Sequence, residues 1–246
     1  MNKKIKVLIV DDSALMRKIL SDILNSDPDI EVVGIAQTGK IALHKINSLD
    51  PDIVTLDIVM PGMDGIETLK KIMLESPRPV VMISSVAKKD AELTLKALNF
   101  GAVDFLTKPG NILSSKFSEM KDEIIMKVKT AAEAHISKLD IKELEDEEEH
   151  LEQIRKEFHK TEITDGKLTK IVTIGISTGG PQALKSVLPK FEKDIDFGIL
   201  IVQHMPENFT NAFAERMNML SKIFVTEAKD GDRLTNGKAI IARGDY

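Results

Sequence analysis

The chain has 246 residues, which is long enough for two domains with separate cores. Hydrophobic residues make up 42% of it, so a disordered or fibrous protein is excluded. It has no cysteine, which excludes a disulfide framework and thiol chemistry and favours the reducing cytoplasm. The apolar run near the N-terminus stops at Asp11 and is too short for a signal peptide or a membrane span. We therefore expect a cytoplasmic protein without membrane insertion.

The formal net charge of −5 is concentrated in one stretch of the chain. Residues 140–160 contain nine acidic and four basic residues, so the rest of the chain is neutral. No basic face stands out, and the chain has one tyrosine and no tryptophan to stack on bases. Nucleic-acid binding has no electrostatic support here, and we expect no nucleic-acid partner.

The first half of the chain alternates short apolar runs with helical apolar spacing. Residues 4–10 are nearly all apolar, as expected for a strand buried on both faces of a parallel sheet. Five rounds of strand and helix predict a doubly wound α/β domain of the flavodoxin-like class. The predicted strands are residues 4–10, 31–36, 53–56, 80–84 and 103–107, and helices are predicted after Ser13 and over residues 39–48, 66–74 and 89–99.

Polar side chains end several of the predicted strands, namely Asp11, Asp12, Asp57, Ser84 and Lys108. In doubly wound folds the ligand binds beyond the carboxyl ends of the strands, so these groups converge on one rim. Three carboxylates repel each other unless a hard cation joins them, and oxygen ligands suit Mg²⁺. With the metal bound, Asp57 can attack phosphorus and form an acyl phosphate. Any one of these aspartates alone could instead be a helix cap or a turn residue.

The first domain resembles the receiver domain of two-component response regulators. The resemblance covers about residues 4–122 and is carried by four motifs: VDDS at residues 10–13, LDIVMPGMDG at 56–65, MISS at 82–85 and DFLTKP at 104–109. It implies that a histidine kinase phosphorylates Asp57. It also implies that Asp12 and Asp57 bind Mg²⁺, with Asp11 acting mainly through water and the backbone carbonyl of Val59 completing the protein ligands.

The same resemblance implies a conformational switch. Ser84 would move toward the phosphoryl group, and Phe105 would turn inward. Lys108, together with the metal, would offset charge on the phosphoryl oxygens. Phe105 has no hydroxyl, whereas some relatives have tyrosine there, so hydrogen bonding by that side chain is lost.

A connector follows the receiver-like domain. Apolar residues in it recur at spacings of three and four, which predicts one long or two shorter amphipathic helices. Two interpretations stay open, a solvated spacer that packs one stripe on a domain and a dedicated docking element. We expect three regions: a receiver over residues 1–122, an acidic helical linker over 123–166, and a second domain over 167–246.

The second domain opens with a strand over residues 171–174 and a glycine-rich turn. A helix is predicted from Pro181, because proline suits the first helical turn. The G-x-S-x-G spacing of the turn places the Ser177 hydroxyl beside the unpaired N–H groups of a helix start. A serine so placed can attack a carbonyl, with backbone donors near the oxyanion. A simple packing turn or a phosphate-binding loop fits the same pattern.

A second strand over residues 198–203 ends at His204. His204 would reach the same sheet edge as Ser177, where a neutral imidazole could take the serine proton. The alternative is an ordinary strand-end histidine. A helix over residues 210–220 and strands over 224–228 and 239–242 follow.

This stretch resembles the catalytic domain of the chemotaxis protein-glutamate methylesterase family. The motifs are IGISTGGP at residues 174–181, VQHMP at 202–206, FTNAFAERMN at 209–218, EAKDGDRL at 227–234 and IARGDY at 241–246. The resemblance implies a partial parallel-sheet α/β methylesterase domain with Ser177 as nucleophile, His204 as base and Thr178 shaping the oxyanion site. It also implies that the esterase needs no cofactor. It implies hydrolysis of glutamyl methyl esters, and often deamidation of glutamines, on methyl-accepting chemoreceptors.

By the same resemblance, the unphosphorylated receiver covers the esterase site and phosphorylation of Asp57 relieves the block. The triad aspartate and part of the oxyanion site of the family fall beyond Tyr246, and we assign that role to none of Asp230, Asp232 and Asp245. We therefore expect little or no esterase activity from these 246 residues, an exposed core and poor folding past residue 167.

An alternative of a different class is a catalytically inactive phospho-receiver that serves as a binding module or phosphate sink. A transcription regulator is disfavoured, because no helix-turn-helix pattern follows the receiver.

Overall fold

A computed structural model of the protein describes residues 3–85, 88–108, 117–136, 138–155 and 167–244. The chain forms two compact units. The first is Met1–Val86 with Leu93–Leu144, and the second is Ala87–Glu92 with Glu145–Tyr246.

Five strands form the sheet of the first unit: β1 (Ile5–Val10), β2 (Ile30–Ala36), β3 (Ile53–Asp57), β4 (Val80–Ser84) and β5 (Asp104–Thr107). Their order is β2-β1-β3-β4-β5, and every pair is parallel. This order is that of flavodoxin-like folds, so the predicted fold class is confirmed. Because all the strands point the same way, their carboxyl ends share one edge.

The helices of this unit are α1 (Ala14–Asn25), α2 (Gly39–Leu49), α3 (Gly65–Glu75), α4 (Lys88–Asn99) and α5 (Phe117–Ala132). Three of them begin at a capping side chain, since Ser13, Thr38 and Asp64 each accept a hydrogen bond from a backbone N–H of the first turn. These caps follow β1, β2 and β3, so a short connection joins each strand to a helix that packs back on the sheet.

The predicted domain boundary at residue 122 falls inside α5. Three side chains of this helix, Ile124, Val128 and Ala131, are buried in the core formed by β1, β3 and α1. Residues 123–132 therefore belong to the first unit and not to a linker. The sequence suggested otherwise because their apolar spacing runs on, at the same period, into the connector.

A separate helix, α6 (Ile141–Arg155), follows the end of α5 at Ala132. Of the two predicted alternatives, the structure therefore has two shorter helices and not one long helix. Asp140 begins α6, because its Oδ1 accepts hydrogen bonds from the N–H groups of Lys142 and Glu143. From residue 145 onward α6 belongs to the second unit, and its Leu151 is only 5% exposed.

The second unit has four strands, β6 (Ile171–Ile176), β7 (Gly198–Gln203), β8 (Phe224–Glu227) and β9 (Lys238–Ile241). They form a parallel sheet in the order β6-β7-β9-β8. The helices are α7 (Gly180–Val187), a short 3-10 helix (Leu188–Lys190) and α8 (Glu207–Leu220). The predicted elements are present, although β6 extends two residues further and α8 starts three residues earlier than expected.

One face of the sheet is covered along β7 and the other is not. Ile199 and Ile201 are buried, whereas Leu200 and Val202, which point to the opposite face, are 37% and 60% exposed. The expectation of an exposed apolar core is therefore confirmed for this face. Poor folding past residue 167 is a matter of stability and stays a prediction. Among the described residues, the helices are all too short or too polar to cross a membrane.

Candidate functional site

Three carboxylates meet at the carboxyl edge of the first sheet. Asp11 follows β1 directly, Asp12 is next to it, and Asp57 is the last residue of β3. One oxygen from each of them lies within 4.8 Å of the others. Asp11 and Asp57 are buried, whereas Asp12 is exposed, so the cluster has one open side.

Lys108 lies across this cluster. Its Nζ is 2.7 Å from Asp57 Oδ2 and 3.3 Å from Asp11 Oδ2. Burial lowers the pKa of Lys108, but the hydrogen bond and charge of Asp57 outweigh it and hold that pKa above its ordinary value. Burial raises the pKa of the Asp57 carboxyl, and Lys108 only partly opposes this. The lysine is therefore charged, and the carboxylates are crowded enough to favour a cation.

The oxygens of this cluster fit a divalent cation. Asp11 Oδ2 is fully buried and has no hydrogen-bond partner among the described residues, although the Lys108 cation lies nearby. Carboxylate oxygens from three aspartates that lie this close together are the kind of ligands that a hard metal ion prefers. A cation there would favour the charged form of Asp57 and lower its pKa. Val59 donates its N–H to Asp57 Oδ1 at 3.3 Å, and its predicted role as a carbonyl ligand stays a prediction.

The predicted switch residues lie on β4 and β5, beside the acidic cluster. Ser84 is 1% exposed and accepts a hydrogen bond of 2.9 Å from Thr94 Oγ1 on α4. Phe105 is also 1% exposed, so its ring already points inward. Lys127 of α5 donates to the Phe105 carbonyl at 3.0 Å, with its Nζ 5.3 Å from the ring centroid. Both switch positions are therefore tied to a helix.

Arg17 of α1 is a site residue that the sequence analysis missed. Its Nη1 donates to the backbone carbonyls of Asp11 (2.7 Å) and Asp12 (2.9 Å). It thereby holds the loop that presents two of the three carboxylates. The available signal was its place one turn into the helix capped by Ser13, on the side facing the loop.

The second site lies at the carboxyl edge of the other sheet. Ser177 follows β6 and His204 follows β7, and these strands are neighbours in register. The His204 N–H donates to the Ile176 carbonyl at 3.0 Å, which continues the ladder past the strand ends. Ser177 Oγ lies 3.3 Å from His204 Nδ1, so the structure brings the two predicted residues together. With the imidazole proton on Nε2, Nδ1 accepts from the serine hydroxyl.

The turn after Ser177 leads directly into α7. Gly179 has φ +75°, a left-handed conformation that favours glycine, and it makes no side-chain cap to the helix. Among the N–H groups at the start of α7, that of Gly180 donates to the Ser177 carbonyl at 2.9 Å, and Pro181 has none. Backbone donors for an oxyanion beside Ser177 therefore stay a prediction. Thr178 lies half-buried in the same turn, and its predicted role stays a prediction.

The acidic residues considered for the triad are placed elsewhere or not described. Asp232 Oδ2 accepts the N–H of Lys229 at 2.9 Å, so this carboxylate stabilises its own turn. Asp230 is exposed in the same turn, and Asp245 lies outside the described residues.

Comparison with protein families divides the chain in the same way. The response regulator receiver domain matches residues 7–114, and the CheB methylesterase domain matches residues 172–246. The class is thus a response regulator joined to a methylesterase-type domain.

Proteins named protein-glutamate methylesterase/protein-glutamine glutaminase align with the chain over its whole length. That of Pyrococcus horikoshii is 46% identical over 100% of this chain and 65% of its own length. That of Halalkalibacterium halodurans is 47% identical over 100% of this chain and 68% of its own length. The chain therefore belongs to the protein-glutamate methylesterase/protein-glutamine glutaminase family. It spans about 65% of the length of the Pyrococcus relatives.

Two solved structures are also similar. The response regulator domain of Thermotoga maritima CheB is 45% identical, with a TM-score of 0.49, covering 54% of this chain and 99% of that one. The Thermotoga maritima CheB methylesterase catalytic domain is 44% identical, with a TM-score of 0.31, covering 31% of this chain and 41% of that one.

Proposed function

We propose that this protein is a chemotaxis response regulator in which phosphorylation of Asp57 controls a serine esterase centred on Ser177 and His204. Its substrates would be glutamyl methyl esters, and also glutamine amides, on chemoreceptor proteins. The observation that carries the proposal is the 3.3 Å contact between Ser177 Oγ and His204 Nδ1 at adjacent ends of a parallel sheet. The relatives that align with the whole chain carry this activity in their names.

The esterase reaction divides into two proton-coupled steps. His204 accepts the Ser177 proton while Oγ attacks the ester carbonyl, and backbone N–H groups of the turn that follows Ser177 would bind the oxyanion. The C–O bond to methoxide then breaks, and His204 returns its proton to the leaving group, which departs as methanol. Water attacks the acyl-serine by the same route and releases the glutamate carboxylate. With an amide substrate the leaving group is ammonia.

The receiver reaction joins Asp57 to a phosphoryl group. A carboxylate oxygen attacks the phosphorus of a phosphohistidine on the kinase, the P–N bond breaks, and an acyl phosphate forms. Asp11, Asp12 and Asp57 would hold Mg²⁺, which offsets charge on the phosphoryl oxygens when bound. Lys108 is already charged and 2.7 Å from Asp57, so it can pair with a phosphoryl oxygen without rearrangement.

The test is release of methanol from methylated receptor membranes by wild type, Ser177→Ala and a matched Ser48→Ala. Ser48 is an exposed residue near the end of α2. We expect wild type and Ser48→Ala to release methanol at the same low rate and Ser177→Ala to release none above background. Equal release by Ser177→Ala would refute the nucleophile. No release by wild type, with normal labelling of Asp57, would favour the binding module or phosphate sink.

A further inference from the structure

Gln203, the last residue of β7, is a buried polar residue that the reaction above does not use. The side chains of this strand alternate, and Gln203 points to the same covered face as Ile199 and Ile201. It is only 4% exposed. An uncharged polar group in that position destabilises the fold unless hydrogen bonds offset its loss of water.

The hydrogen bonds of Gln203 go to the two residues of the proposed esterase site. Its Nε2 donates to the backbone carbonyl of Ser177 at 3.0 Å and to that of His204 at 3.3 Å. The Ser177 carbonyl also accepts the N–H of Gly180 at 2.9 Å. The direction of the carboxamide follows from this, because an amide oxygen in place of Nε2 would face two carbonyl oxygens.

The other end of the carboxamide makes this arrangement hard to explain by stability alone. Gln203 Oε1 is buried and has no hydrogen-bond partner among the described residues. An apolar side chain, as at Ile199 and Ile201, would avoid that cost. A Cβ on Gly180 would come within 2.1 Å of Oε1, so a side chain at this position would have to displace the carboxamide. The donor end is therefore the part of Gln203 that matters.

We infer that Gln203 is a positioning residue, whose Nε2 joins the main chains of Ser177 and His204 and so sets the distance between Oγ and Nδ1. The inference rests on the proposed function, because it concerns the same two residues. Fixing each carbonyl fixes the backbone rotation beside each Cα, and thereby the direction of each side chain. Displacements of about 1 Å in such pairs cost on the order of a hundredfold in rate.

The first arm of the test measures the reactivity of Ser177 with a fluorophosphonate probe, followed by intact mass. Gln203→Met keeps the length and burial of the side chain but removes the donor, and Gln153→Met makes the same change at an exposed position of α6. We expect Gln203→Met to slow labelling by about tenfold to a hundredfold. Gln153→Met should label at the wild-type rate. Labelling of Gln203→Met at the wild-type rate would overturn the inference.

Gln203→Glu supplies a signature that loss of packing would not produce. Its ionised carboxylate repels the two carbonyl oxygens, whereas its protonated form can donate to one of them. The ratio of its labelling rate to that of wild type should therefore rise as the pH falls. A ratio independent of pH would contradict a donor role.

The second arm measures hydrogen exchange and needs no reactive serine. We expect faster exchange at the Gly180 and His204 amides in Gln203→Met, with little change elsewhere. Unchanged exchange there, or faster exchange throughout the second unit, would overturn the inference. Equal labelling of wild type and Ser177→Ala, or of neither, would overturn the proposed nucleophile instead. The exchange arm then still decides whether Gln203 holds the two backbones.

Discussion

At the scale of single residues, the acidic cluster joins groups that are far apart in the chain. Asp11, Asp57 and Lys108 come from the ends of three different strands, and the lysine lies within 3.3 Å of both carboxylates. Burial raises the pKa of Asp57, because removal from water disfavours the charged form of this carboxylate. This burial distinguishes Asp57 from an ordinary turn or cap residue.

Asp57→Asn should abolish phosphorylation, because an amide oxygen is too weak a nucleophile to displace a phosphoryl group. The measurement is the intact mass after incubation with acetyl phosphate and Mg²⁺, where wild type should gain one phosphoryl group. Asp22→Asn, at an exposed position of α1, is the matched control and should label like wild type.

Chelation of the metal should prevent phosphorylation of wild type as well, since Asp11, Asp12 and Asp57 would lose the cation that joins them. Labelling of Asp57→Asn to the wild-type extent would contradict the assignment of Asp57.

At the scale of elements, α6 is tied to the second unit by ion pairs. Arg216 of α8 donates from two nitrogens to the two carboxylate oxygens of Glu148, at 3.0 and 2.6 Å. The side chains of Arg216 and Glu148 are only 12% and 8% exposed. Lys185 of α7 adds a contact of 2.7 Å to Glu147. These contacts agree with a spacer that packs one stripe on a domain for residues 145–155, and the docking interpretation of the connector stays a prediction.

Arg216→Met should destabilise the second unit by roughly 3 kcal/mol, because it removes the bidentate cation from the buried carboxylate of Glu148. The measurement is the urea unfolding transition of that unit. Lys222→Met removes a partner from the exposed pair of Lys222 and Glu192 and should cost at most about 1 kcal/mol.

The double variant Glu148→Met with Arg216→Met should recover most of the loss, since the buried carboxylate is replaced by an apolar side chain. A single variant as stable as Lys222→Met would show that α6 does not depend on this pair.

At the scale of the whole molecule, the proposal links two reactions in one chain. Phosphorylation of Asp57 should raise methanol release by wild type, because the resemblance implies that the unphosphorylated receiver blocks the esterase. The measurement compares release with and without acetyl phosphate. Asp57→Asn should keep its basal rate and lose the increase. A similar increase in Asp57→Asn would show that the phosphodonor acts elsewhere.

The sequence by itself determined most of the two folds and both candidate sites. Apolar runs of strand length located β1 and β7, and polar residues after the strands pointed to Asp57 and His204. This succeeds because strands in parallel sheets are buried on both faces, and because their carboxyl ends must share an edge. The boundary predicted at residue 122 falls inside α5, because α5 and the connector share one apolar period.

Only the tertiary structure decided which groups hold these sites in place. Arg17 reaches two backbone carbonyls, and Gln203 reaches the carbonyls of Ser177 and His204. Every residue has a backbone carbonyl oxygen, whatever its side chain. The residue types therefore do not show which side chain donates a hydrogen bond to which carbonyl. The pairing of Glu148 with Arg216 was hidden for a related reason. The sequence of an acidic helix does not show which glutamate is solvated and which one is covered by a neighbouring helix.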